Sequence, residues 1–132
     1  MEPEEATKEP ANPGDALFAF PGSPTKDQVE VWKQEHGEVF CSGFSMDELF
    51  VFRPLKRHEF VELQVLVAQA QGQVSQFEIE ETTVKKCLLW TTPNGSRALE
   101  TKAGTCSTLH EQVLQNSNFV NASMASVLVV KL

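Results

Sequence analysis

The sequence predicts a small, mostly helical α+β domain with one β-hairpin and a flexible acidic N-terminal arm. Three observations carry this. Phe60, Leu63 and Val67 recur at three- and four-residue spacing, the signature of a helix with one apolar face. Two runs rich in Phe and Val, Glu38–Phe44 and Glu48–Phe52, flank the short link Ser45-Met46-Asp47, which reads as a hairpin. The opening MEPEEATKEPANPGDA holds Pro3, Pro10, Pro13 and four glutamates and cannot nucleate a core. The arm is therefore assigned to residues 1–16 and a single compact domain to residues 17–132.

Each element follows in order. Leu17, Phe18 and Phe20 form an apolar cluster just after the arm, either the edge of the core or a docking peptide. Thr25 can cap a helix running to His36, Asp27 suits its positive end, and Gly37 is a natural stop. Val29 and Trp32 share one face of that helix. In the hairpin, Leu49 and Val51 alternate with Phe50 and Phe52, as in a strand buried on both faces. Arg53-Pro54-Leu55 turns the chain into a helix over Leu55–Gln71, bounded by Gly72. Val61, Val65, Leu66 and Ala70 widen its apolar face, so it is expected to be central, with the hairpin packed against it.

Val74–Trp90 favours helix through the stripe Val74, Phe77, Val84 and Leu88, although Thr82-Thr83-Val84 is β-branched. Pro93-Asn94-Gly95-Ser96 reads as a turn, and Ala98–Gly104 as loop with a short helical piece. Thr108 and Glu111 have capping-box spacing for a helix that buries Leu109, Val113 and Leu114 and ends near 116–119. Ala122–Val130 is a final apolar element, read as helix first and strand second.

Composition narrows function. The 132 residues carry a net charge of −7, with 41% hydrophobic and 22% charged residues, as in a soluble globular protein. A nucleic-acid partner is disfavoured, because phosphate binding needs clustered Lys and Arg. The acidic N-terminus predicts no secretory signal, and runs such as Val127–Val130 are too short to span a membrane. Cys41, Cys87 and Cys106 form no CxxC pair, so reduced thiols are expected and a zinc site is not. No Gly-rich phosphate loop, HExxH or EF-hand loop is present, and no cofactor is expected. His36, His58 and His110 each stand alone in their segments. Cys106 beside a helix start, with His110 one turn on, leaves a small cytosolic thiol enzyme as the alternative of another class. The nine phenylalanines exceed what a small core must use, and some can face a partner.

Three segments carry a resemblance. They are Val31-Trp32-Lys33-Gln34-Glu35-His36-Gly37-Glu38-Val39-Phe40, Phe50-Val51-Phe52-Arg53-Pro54-Leu55-Lys56-Arg57-His58-Glu59-Phe60, and Ala103–Leu114 followed by Ser117-Asn118-Phe119. In this order and spacing the chain resembles small tail-module proteins of contractile-tailed phages, the tail assembly chaperones and T-even-type baseplate hub proteins, over roughly residues 24 to 120. It departs from them at Lys56, where a Ser or Thr cap is usual, and at Asn118, where a Gly is usual. The resemblance implies a non-enzymatic virion structural or assembly protein. It would be made in the host cytoplasm and act through contacts with other tail or baseplate proteins, in several copies, without nucleic acid or membrane. A transient tail assembly chaperone absent from the mature particle is the alternative. The residues expected to meet partners are Leu17, Phe18 and Phe20, then Trp32, then Arg53, Lys56 and Arg57.

Overall fold

The computed structural model describes residues 13–119. They form a small α+β domain with six helices and one three-stranded antiparallel sheet. The helices are α1 (Pro13–Ala19), α2 (Lys26–His36), α3 (Arg57–Ala70), α4 (Gln76–Cys87), α5 (Pro93–Thr101) and α6 (Thr105–Asn116). The strands are β1 (Phe40–Ser45), β2 (Glu48–Phe52) and β3 (Leu88–Thr91), in spatial order β1-β2-β3.

The middle strand organises everything else. Leu49, Phe50, Val51 and Phe52 are all buried, as the unbroken apolar run predicts. Side chains alternate across a strand, so β2 feeds two layers. Leu49 and Val51 pack with Ala16 and Leu17 of α1, and Phe20, Trp32, Leu89 and Trp90 lean on that cluster. Phe50 packs with Val84 of α4 and Leu109 of α6. Phe52 packs with Leu55, Leu63, Cys87 and Val113.

The predicted hairpin is present, with Cys41 opposite Val51 and Phe40 opposite Phe52. The predicted α2 is capped by Thr25, whose hydroxyl accepts the Gln28 N–H at 3.1 Å. Gly37 follows it at φ 89°, a backbone region that favours glycine. Asn118 adopts φ 71°, so the left-handed turn after α6 survives without a glycine.

Several expectations are corrected. The segment Val74–Trp90 is not one helix: α4 stops at Cys87, and Leu88–Thr91 leaves it as β3, pairing Val51 with Trp90 and Phe52 with Leu88. Pro93-Asn94-Gly95-Ser96 is the first turn of α5, not a loop turn. Pro93 stands at its N-terminus, and Thr92 caps it by accepting the Gly95 N–H at 3.0 Å. Thr108 does not open a helix. It lies inside α6, which begins a turn earlier at Thr105, because Thr105, Leu109 and Val113 form the buried stripe. Pro13 to Ala16, assigned to the arm, belong to α1, where Ala16 is buried against the sheet. Residues 1–12 and the expected element at Ala122–Val130 lie outside the described residues.

The largest correction concerns α3. It is not central, and of its fourteen residues only Leu63 is buried. Both faces of the sheet are already occupied, one by α1 and α2 and the other by α4, α5 and α6. What remains for α3 is an edge seat held by Phe60 and Leu63.

Candidate docking surface

The turn that launches α3 is built around Arg53. Its side chain is only 10% exposed, and both terminal nitrogens of its guanidinium are engaged. Nη1 and Nη2 donate to the two carboxylate oxygens of Glu59, both at 2.8 Å, a bidentate pair. Nη1 also donates to the Pro54 carbonyl at 3.1 Å, and Nη2 to the Lys86 carbonyl at 2.8 Å. The Arg53 N–H donates to the Cys87 carbonyl at 2.9 Å. The same Glu59 carboxylate accepts the Lys56 N–H at 3.0 Å. Glu59 therefore caps α3 from inside its first turn, in place of the hydroxyl that Lys56 lacks. The Arg53 hydrogen bonds hold the Glu59 carboxyl far below its ordinary range, at about 2.

This strut fixes how α3 presents itself. Glu59, Phe60, Leu63 and Val67 turn inward. Val61 and Val65, four apart and so one above the other, point to solvent at 45% and 49% exposure. Leu66 flanks them at 50%. Ala68 continues the stripe, and a shallow hollow lined by Arg57, His58, Val61 and Glu62 heads it. An apolar strip along an exposed helix, with charges at one end, is the kind of surface that can receive a partner's side chains.

The sequence-predicted contact residues divide accordingly. Lys56 and Arg57 are exposed beside this strip. Arg53 lies beneath it and is used up internally. Leu17 is buried in the sheet cluster, and Phe20 meets Trp90 edge-on at 6.3 Å. Trp32 packs half-buried on the same cluster. Phe18 is exposed, with the Lys26 ammonium 5.6 Å from its ring centre. Leu17, Phe20 and Trp32 thus form the edge of the chain's own core. The Val61–Val65–Leu66 strip was missed because its residues read as a widening of a buried face. The signal was that they sit off the Phe60–Leu63–Val67 line.

A second feature is a groove of about 300 Å³ lined by Phe77, Glu80, Glu81, Leu99, Glu100 and Cys106, among others. Burial, with Glu80 and Glu81 nearby, pushes the Cys106 thiol above its ordinary value, and burial pushes His110 below its own. A nucleophilic thiolate needs the opposite shift. Ser107 donates to Glu80 at 2.6 Å, tying α6 to α4 at the groove. Among the described residues no three His, Cys, Asp or Glu side chains come together as a metal site, and no helix is long and apolar enough to cross a membrane.

No protein-family model matches the chain, and no curated protein or solved structure is significantly similar to it.

Proposed function

We propose that this protein works through protein–protein contacts as a structural or assembly subunit of a contractile phage tail or baseplate, and that the outer face of α3 makes a principal contact. The observation that carries the docking role is the exposed strip of Val61, Val65 and Leu66 on a helix already seated through Phe60 and Leu63. A helix needs only one apolar stripe to hold it on its own domain, so a second stripe is explained by a second surface. The phage context rests on the three sequence segments that resemble tail-module proteins. Two of them, Phe50–Phe60 and Ala103–Phe119, surround the α3 seat.

Quantitative mass spectrometry of gradient-purified particles and of infected-cell lysate tests this reading. A fixed copy number per particle supports a structural subunit. Presence in lysate and absence from particles assigns the transient chaperone instead. Absence of association with any tail protein in either fraction overturns the proposal. In particles that do contain the protein, Val65→Asp lowers its copy number while leaving the isolated domain folded.

A further inference from the structure

We infer that the outer edge of β1 takes an extended, uncharged segment of another protein as an added strand. This goes beyond the α3 reading: it concerns a different surface and stands without it.

The hydrogen bonds of β2 show which main-chain groups of β1 are open. β1 lies at one side of the sheet, with β2 as its neighbour. The Leu49 carbonyl accepts the Thr92 N–H at 3.1 Å, and the Leu49 N–H donates to the Thr92 hydroxyl, so Leu49 turns its main-chain groups toward β3. The Arg53 N–H likewise turns to the Cys87 carbonyl. Main-chain direction alternates along a strand, so Phe50 and Phe52 turn theirs to β1, where Ser42 and Phe40 are their partners. Cys41 and Gly43 are left pointing outward, each with one N–H and one C=O. No hydrogen bond among the described residues takes these groups. Open edges in native sheets are commonly guarded by Lys, other charges or Pro. The strand Phe40–Ser45 holds none of these.

A groove of about 470 Å³ runs along this edge. Consecutive β1 residues, Phe40 to Gly43, line it, which places it beside the strand rather than over one face. Its two walls differ. On the α1 side stands Pro13, whose carbonyl accepts from the Cys41 thiol at 3.6 Å and whose Cβ lies 3.3 Å from where a Gly43 Cβ would be. On the α6 side stand Gln112, Gln115 and Asn116. Gln112 keeps an amide oxygen that is buried and accepts no hydrogen bond among the described residues. No charged side chain among the described residues lines the groove, so a Lys, Arg, Asp or Glu entering it would lose water without gaining a counter-charge. Strand alternation then sets the occupant's chemistry: small apolar side chains toward Pro13, and Ser, Thr, Asn or Gln toward the amides of α6. The bulge between Gly43 and Ser45 ends the regular edge, so the pairing is short. A second copy's β1 fits less well, because it brings its own Pro13 and α6 walls into the same space.

NMR titration of the isotope-labelled full chain with the capped peptide acetyl-Thr-Ala-Thr-Ala-Thr-Ala-Thr-amide tests the inference. The Cys41 and Gly43 amide signals are expected to shift and saturate with a Kd at or below about 1 mM. Only alternate residues of an added strand turn their main-chain groups to β1. Methylating the peptide's Ala nitrogens should therefore weaken binding at least roughly ten-fold if the strand adds antiparallel, and methylating its Thr nitrogens if it adds parallel, while the other set tolerates methylation. Gln115→Trp, which fills the groove from an exposed position, should abolish the shifts and leave the β2 and β3 signals in place. Absence of saturable shifts at Cys41 and Gly43 overturns the inference. Equal responses to the two methylated peptides, or binding that survives Gln115→Trp, overturn it as well. So do shifts that grow with protein concentration alone, which would assign the edge to a second copy. Val65→Asp should leave peptide binding unchanged, so this inference and the α3 docking role fail separately.

Discussion

At the residue scale, three sites hold the fold in ways that no neighbour can take over. Thr92 is fully buried, and its hydroxyl donates to the Asp47 carbonyl at 2.6 Å while accepting N–H groups from Leu49 and Gly95. One oxygen thus joins the hairpin turn, the central strand and the start of α5. Gly95 lies so close that a Cβ there would strike the Thr91 hydroxyl and come within 3.1 Å of the Phe50 ring. Gly95→Ala is therefore expected to cost about 1–3 kcal/mol in urea unfolding, as overpacking of a tight core does. The Arg53–Glu59 pair is the third case. Glu59→Gln leaves a nearly buried guanidinium short of its counter-charge and should cost about 3 kcal/mol at pH 7. The pH dependence has a definite sign. The carboxyl titrates near 2 in the fold and near 4.5 when free, so its contribution is complete above about pH 4.5 and disappears as pH falls toward 2. Unfolding free energies of wild type and Glu59→Gln should converge over that interval.

At the element scale, what could be read from the sequence was what local chemistry decides. Thr25 and Gly37 bound α2 because a cap and a stop act on their own helix, whatever packs above it. The hairpin was legible because Phe40–Phe44 and Leu49–Phe52 are β-formers around a short link. The end of α4 was not, since Leu88 continues the helical stripe and departs only because β2 has an open edge that Leu88–Thr91 can pair with. The start of α5 was available in Thr92-Pro93, a cap followed by a favoured first-turn residue, but Asn94-Gly95 gave a stronger turn signal. The position of α3 lay beyond any local pattern, because it depends on which sheet faces other helices have filled. The exposed strip was hidden for the same reason: apolarity marks Val61 and Leu63 alike, and only the tertiary seat separates them. This separation is measurable. Leu63→Ala is expected to destabilise by about 2–5 kcal/mol, as in other cores. Val65→Ala on the isolated protein should lose about 1 kcal/mol or less, because the residue is half exposed. Equal losses at the two positions, measured by denaturant unfolding, would contradict the assigned faces.

At the scale of the whole molecule, β2 is a shared spine, and the layers on its two sides stand or fall together. Each layer also holds a histidine whose charged form the fold resists. His36, at the end of α2, is pushed below its ordinary value by burial and then by Arg53 and Lys56, and its Nδ1 is buried with no hydrogen-bond partner. His110, on α6, is pushed down by burial, against the pull of Glu80 and Glu111. In both cases the unfolded chain binds the proton more readily than the folded one, so stability rises with pH through this range. The contribution is complete above the free value of 6.5 and is lost as pH falls below it. Because both layers close on one strand, a proton taken up on either side is read by a single unfolding transition rather than by two. Wild-type protein is therefore expected to unfold at lower urea when pH drops from 7 to 5.5. His36→Gln and His110→Gln should each remove part of that slope, and the double variant most of it. A wild-type midpoint that does not move between these pH values would show that the two imidazoles accept protons in the fold as easily as outside it. A slope that survives the double variant would place its origin in the carboxylates.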